Sequence, residues 1–307
     1  MIALLAPGQG SQTPGMLSPW LEGSDSDAAR AQLAAWSEIS GLDLVALGTT
    51  AGAEEITDTA VTQPLVVAAT LLAYGELAKR RNGPVSGDDV IVAGHSVGEI
   101  AAYAIAGVIS ADDAVMLATT RGREMAKACA LEPTGMAAVL GGDEAEVLTR
   151  LEQLDLTPAN RNAVGQIVAA GPLTALDKLA EDPPAKARVR KLATAGAFHT
   201  QYMAPALEAY SAAAAQVTTS EPTATLLSNR DGQPVASAAV AMDQLVAQLT
   251  RPVRWDLCTE TLRSRGVTAI VEFPPAGTLA GIAKRELRGT PTHAVKSPAD
   301  LDGLPEF

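Results

Sequence analysis

Short apolar runs, several rich in β-branched residues, alternate along the chain with longer stretches of helical periodicity. The runs at 2–6, 90–93, 223–228 and 267–273 have too few polar positions for half-exposed strands, and they predict buried ones. Stretches at 62–81, 110–128, 201–215 and 242–250 predict helices. In the first of these, Thr62 reads as the N-cap, Pro64 falls in the first turn and Asn82-Gly83 supplies the stop. Buried strands that feed helices imply a parallel sheet covered on both faces.

Between about 129 and 196 the rhythm shortens. A strand at 135–140, a helix at 143–154, strands at 156–160 and 166–170, a helix at 173–179 and a strand at 188–192 follow one another. That βαββαβ order is the ferredoxin-like arrangement. Glu132-Pro133-Thr134-Gly135 and Pro183-Pro184 punctuate it. The expected organisation is a large α/β domain, 1–128 with 197–307, carrying a small inserted domain, 129–196.

Composition narrows the function. Hydrophobic residues at 47% against 19% charged give a sizeable core and exclude a disordered chain. With 23 Lys plus Arg against 35 Asp plus Glu, the net charge of −12 argues against nucleic acid or an anionic membrane as partner. Aromatics at 3% leave little for base stacking. Two cysteines, Cys129 and Cys258, cannot frame a chain this long with disulfides. The apolar start lacks a basic leader and reads as a first strand, and no apolar run approaches the length of a membrane span. A cytoplasmic protein is expected.

The sharpest chemical signal is Gly94-His95-Ser96-Val97-Gly98, preceded by a buried strand and followed directly by a helix. In that context G-x-S-x-G is a nucleophile elbow, a tight turn that exposes the serine hydroxyl. The helix N-terminus behind it adds partial positive charge near a developing oxyanion. A serine needs a base, and only His95, His199 and His293 are available. His293 sits in a Pro-Thr-His tail segment and reads as a surface residue, while neighbours around a sharp turn, such as His95 and Ser96, rarely aim at each other. His199, at the junction after the insert, is the best general base. No acidic residue stands out as a third member. The loop Pro7-Gly8-Gln9-Gly10-Ser11-Gln12 after the first strand fails as a dinucleotide fingerprint and as a P-loop. It can still present backbone N–H groups to an oxyanion.

Six features in order carry a family resemblance. They are Gly8-Gln9-Gly10-Ser11-Gln12, Gly94 to Ala102, Arg121-Gly122-Arg123-Glu124-Met125, Asn160 with Gly165-Gln166, Ala197-Phe198-His199 and Pro252-Val253-Arg254-Trp255. Together they make the chain resemble the malonyl-CoA:acyl carrier protein transacylases and the acyltransferase domains of polyketide synthases, over essentially its whole length. The resemblance implies an α/β-hydrolase-like core with a ferredoxin-like subdomain. It implies Ser96 as the acylated nucleophile, His199 as its base, and the N–H groups of Gln9 and Val97 as the oxyanion hole. Gln248 would orient the histidine, which accounts for the missing acid. Arg121 would hold the malonyl carboxylate, with His95, Phe198, Met125, Gln63 and Asn160 as further substrate contacts. Arg251-Pro252-Val253 departs from the family's Asn-Pro-Val, and Pro275-Ala276 departs from its Pro-Gly.

Arg121 lies in a helix apolar enough to be packed, where an unpaired guanidinium is costly. Its fork of donors fits a carboxylate with two parallel hydrogen bonds. Leaving one partner of such a pair alone costs about 2–5 kcal/mol. That discriminates malonyl from acetyl by roughly 30-fold or more. The alternative is a solvated Arg121 paired with Glu124. Val97 and Phe198 resemble the family's malonyl-selecting pattern, in which bulk crowds an α-methyl branch.

The implied course is ping-pong: malonyl passes from malonyl-CoA to Ser96, then to the phosphopantetheine thiol of acyl carrier protein, with no metal or redox cofactor and with a monomeric enzyme. An acidic carrier meeting an acidic chain needs a local basic surface. Lys186, Arg188, Arg190 and Lys191 in the insert, and Lys284, Arg285 and Arg288 near the end, are candidates. The competing readings are a serine thioesterase or hydrolase on the same elbow, a non-catalytic scaffold that keeps the fold, and a polyketide-dedicated acyltransferase.

Overall fold

A computed structural model describes residues 1–22 and 26–305. Five strands form a wholly parallel sheet: β1 (Ile2–Ala6), β2 (Gly87–Gly94), β7 (Ala224–Leu226), β8 (Ala269–Glu272) and β9 (Thr292–Ala294). Their order is β7-β2-β1-β8-β9. Side chains alternate across the sheet. Ile2, Leu4 and Ala6 join a core with α1 (Ser26–Ser40), α2 (Leu44–Thr49), α3 (Thr59–Arg80), α4 (Gly98–Ile105) and α5 (Ala111–Cys129). Ala3 and Leu5 face the other way, with Ile91, Ala93 and Ile270, onto α10 (Trp255–Ser264) and α11 (Thr278–Glu286). Both faces are therefore buried, which is why these strands are uninterrupted apolar runs.

The second sheet is antiparallel, in the order β4-β5-β3-β6, from β3 (Thr134–Gly141), β4 (Thr157–Ala163), β5 (Gln166–Pro172) and β6 (Ala187–Lys191). Ala137, Val139, Ile167 and Ala169 pack on α6 (Glu144–Gln153) and α7 (Leu173–Glu181). The alternate residues Met136, Val168 and Ala170 join the large core instead. One face thus seals the small unit and the other docks it over the parallel sheet.

Several sequence expectations need correction. The helix expected from Thr62 begins at Thr59, with Asp58 accepting from the Ala60 N–H as the N-cap. Thr62 instead donates its hydroxyl to the Ile56 carbonyl, and Pro64 lies beyond the first turn. The stop holds: Asn82 takes φ 58° and the Gly83 N–H reaches the Ala78 carbonyl. The helix expected at 201–215 divides into a 3-10 turn, Gln201–Ala206, that contains Pro205, and α8 (Leu207–Ala214). That at 242–250 is α9 (Ala238–Ala247) followed by a 3-10 turn, Gln248–Thr250. His293 is half-buried on edge strand β9 rather than in a surface tail. An apolar run of membrane-span length does exist. The 22 residues of α3 include an 18-residue window of hydropathy 1.3, 67% of it buried, so this is a helix of the core.

Candidate active site

The site gathers at the carboxyl ends of β1, β2 and β7, where loops of an open parallel sheet converge. β2 ends at Gly94 and α4 starts at Gly98, so three residues must reverse the chain. A Cβ on Gly94 would lie 2.1 Å from the Gly98 carbonyl carbon, and one on Gly98 would lie 2.3 Å from the Ala6 oxygen of β1. Only glycine permits that approach. Between them Ser96 takes φ 55°, a left-handed conformation typically costing about 1–3 kcal/mol for a side-chain-bearing residue. Asn229, just past β7, holds the bend from both sides. Its Oδ1 accepts the Ser96 N–H at 2.8 Å and its Nδ2 donates to the Gly94 carbonyl at 2.7 Å.

His199 meets this serine, with Ser96 Oγ and His199 Nε2 2.7 Å apart. On the other side of the ring, Nδ1 lies 2.9 Å from the Gln248 carbonyl oxygen. A carbonyl can only accept, so Nδ1 carries the proton and Nε2 presents its lone pair to the serine hydroxyl. Burial, aided by the positive charge of Arg121, lowers the His199 pKa to about 3, which keeps the imidazole neutral. A main-chain carbonyl thus occupies the place that a carboxylate takes in a triad.

Arg121, on α5, is 1% exposed. Its Nη1 donates to Gln63 Oε1 at 2.8 Å and its Nη2 to Gln248 Oε1 at 2.9 Å, while Nε is buried without a partner. The Gln63 amide is itself oriented, its Nε2 donating to Met125 Sδ at 3.4 Å. Among the described residues no carboxylate pairs with Arg121, since Glu124 binds Arg123 and Lys127. A buried cation held by neutral oxygens, with donors to spare, has the hydrogen-bonding capacity to take a carboxylate.

The Gln9 and Val97 N–H groups have no acceptor among the described residues, as an oxyanion hole requires. A Cβ on Gly8 would lie 2.6 Å from the His95 oxygen, so this loop rests against the elbow. His95 turns away from Ser96. Its Nε2 meets Asn162 Oδ1 at 2.8 Å and its ring lies edge-on to Trp255, centroids 5.5 Å apart. Phe198 is buried one residue before His199. Asn160, singled out from the sequence, is buried on β4 beside Val253 without a side-chain hydrogen bond among the described residues. Asn162 is the β4 residue that reaches His95. The departure at Arg251 leaves the carbonyl of Gln248 in place, because Val253 is stitched to β4 through Ala159 and Arg161.

Sequence reasoning missed Asn162, Asn229 and Glu99. Glu99 had a signal: it is the lone charge in the otherwise apolar α4 and is 1% exposed. Asn229 had only its position at the end of a parallel strand.

An elbow serine hydrogen-bonded to a neutral imidazole, beside a buried guanidinium, defines the class of serine-dependent acyltransferases. A family model described as "Acyl transferase domain" matches residues 4–299. The Malonyl CoA-acyl carrier protein transacylase of Mycobacterium bovis is 76% identical over 304 residues, covering 99% of each chain. Its Escherichia coli K12 counterpart is 31% identical over 311 residues, covering 97% of each. The crystal structure of MCAT from Mycobacterium tuberculosis superposes with a TM-score of 0.93 at 75% identity over 98% of each chain. A structure described as a type II PKS acyl-carrier protein in complex with its malonyl-transacylase gives 0.90 at 29% identity, over 98% of this chain and 97% of that one. The chain belongs to the malonyl CoA-acyl carrier protein transacylases of the acyl transferase family.

Proposed function

We propose that this chain transfers malonyl from malonyl-CoA to the phosphopantetheine thiol of acyl carrier protein, supplying fatty acid synthesis, through a malonyl ester on Ser96. One observation carries the assignment of residues: the 2.7 Å Ser96–His199 contact beside a buried Arg121 that has no carboxylate partner among the described residues. His199 Nε2 takes the Ser96 Oγ proton as Oγ attacks the thioester carbon. The oxyanion accepts from the Gln9 and Val97 N–H groups. Collapse breaks the C–S bond, and the imidazolium returns its proton to the CoA sulfur. In the second half the carrier thiol gives its proton to His199 and attacks the ester. Ser96 leaves and regains that proton. Arg121, oriented by Gln63 and Gln248, holds the malonyl carboxylate throughout. Phe198 and Val97 crowd a methyl branch, and His95 with Asn162 borders the pocket.

The carrier docks, in this reading, on an edge of the small sheet. Gln166, Leu140 and Arg188 share one register row, and Arg285 donates to Gln166 Oε1 at 2.6 Å. Leu140 (42% exposed), in that row, and Val164 (84%), in the turn between β4 and β5, supply apolar surface. We read residues 129–196 as a separate small domain. The two free cysteines suit a cytoplasmic setting.

Intact-mass analysis after mixing with malonyl-CoA tests the assignment. A malonyl adduct is expected on the native chain and none on Ser96→Ala; an adduct that survives the substitution would reject the nucleophile. Added carrier protein should take up the group, less readily with Arg285→Glu, whereas undiminished transfer sinks the docking edge. Release only to water would favour a hydrolase.

A further inference from the structure

Behind the reacting groups lies a buried carboxylate that touches none of them directly. Glu99 Oε1 accepts the Asn229 N–H at 2.6 Å, and its Oε2 accepts from Gln248 Nε2, also at 2.6 Å. No Lys, Arg or His among the described residues forms an ion pair with it. Its two partners branch outward to the whole site. Asn229 holds the Ser96 bend, and Gln248 holds His199 through its carbonyl and Arg121 through its side chain.

The chemistry of an amide makes this arrangement directional. A carboxylate has only acceptors, so Gln248 must present its NH₂ to Glu99. Nε2 also donates to the Ser96 carbonyl at 3.1 Å and to Asn229 Oδ1 at 3.2 Å. With the NH₂ committed there, the amide oxygen necessarily faces the guanidinium. Turning the amide over would set its NH₂ against Arg121 Nη2, donor against donor, between side chains that are both buried.

We propose that Glu99 is a positioning residue for malonyl transfer: by accepting from Asn229 and Gln248 it fixes which end of the Gln248 amide meets Arg121, and so keeps the guanidinium aimed at the acyl carboxylate. The inference rests on Arg121 being the carboxylate clamp. It supplies, at one remove, a buried acid to the serine–histidine pair.

Protonation is the natural perturbation of such a device. Burial pushes the Glu99 carboxyl up to about 7, opposed by its two N–H donors and by Arg121 on α5, and reinforced by Asp231 from the loop after β7. Tyr103 on its own helix, Tyr210 on α8 and Cys258 on α10 also face it, all held neutral by burial. A cavity of about 530 Å³, lined by Glu99, Gln248, Arg230, Asp243 and Arg251 but not by Ser96, His199 or Arg121, gives the carboxyl a route to solvent protons. Once protonated, Glu99 becomes a donor toward Gln248 and favours the turned amide. His199, held near 3, stays neutral throughout this range.

The test is the rate of Ser96 acylation by malonyl-CoA and by acetyl-CoA, measured against pH in the native full chain and in Glu99→Gln. The substituted amide must place a donor against Asn229 N–H or Gln248 Nε2. The expected loss in kcat/KM for malonyl-CoA is about 30-fold, the scale of one hydrogen bond to a charged group. It should fall mainly on KM and exceed the loss for acetyl-CoA. The native malonyl profile should decline below pH 7 with an apparent pKa near 7, and Glu99→Gln should lack that limb. Equal losses for the two substrates would mean a merely structural role and overturn the proposal, as would a Glu99→Gln rate within twofold of native. If Glu99→Gln does not fold, the native profile decides: a malonyl rate that is flat from pH 8.5 to 5.5 overturns it. Arg121→Ala, run alongside, separates failure of the clamp from failure of Glu99.

Discussion

At His199 the physics of one ring sets both reactivity and a cost. Its folded pKa, about 3, lies below the ordinary 6.5 because burial disfavours the charged form. The unfolded chain binds a proton below pH 6.5 and the folded chain does not until near 3, so the stabilisation present above 6.5 is lost as pH falls. Glu99 has the opposite sign, its raised carboxyl pKa favouring the folded state as pH falls from about 7 toward 4.5. Comparing native protein with His199→Gln cancels the Glu99 contribution. Between pH 7.5 and 4.5 the melting temperature of the native chain should fall more steeply than that of the variant; parallel slopes would show that the imidazole titrates freely. The meeting of Ser96 with His199 and the burial of Arg121 were legible in the sequence because each residue sits in a local motif. Glu99 and Asn229 were not, because their importance lies in hydrogen bonds spanning |i−j| of 130 to 149. Asn162, the β4 residue that meets His95, was not legible for a related reason: β4 has two register irregularities that no alternation rule anticipates.

Among the elements, the elbow is the most constrained. Buried apolar runs gave the strands, and the flanking glycines of G-x-S-x-G gave the turn, because close approach leaves a compositional mark. Helix ends were harder to read. Asp58 outcompeted Thr62 as a cap, and Pro205 and Arg251-Pro252 mark where predicted helices tighten into 3-10 turns. The elbow itself can be tested. Gly98→Ala places a Cβ 2.3 Å from the Ala6 carbonyl oxygen, against strand backbone that cannot rotate aside. Overpacking of this kind costs about 1–3 kcal/mol, and the urea midpoint should drop accordingly together with acylation. An unchanged midpoint would show that β1 and α4 are less tightly apposed than described.

For the whole molecule, an α/β core holds the serine, an antiparallel sheet packs one face onto that core, and a polar network rooted on Glu99 joins Ser96, His199 and Arg121. The net charge of −12 is a sum over the chain and does not describe the local surface, around Arg188 and Arg285, on which carrier docking is proposed. The βαββαβ order made the small sheet legible, whereas its docking face emerged only from the packing of Met136, Val168 and Ala170 on the large core. In the proposed function these parts serve selection by charge: an acyl group is accepted because its carboxylate pairs with a guanidinium that has no carboxylate partner among the described residues. The most direct measurement is the ratio of malonyl to acetyl loading rates on Ser96 in native protein and in Arg121→Ala. The ratio should fall roughly 30-fold or more on removal of the guanidinium. A ratio unchanged by that substitution, in a protein that still acylates, would contradict the account.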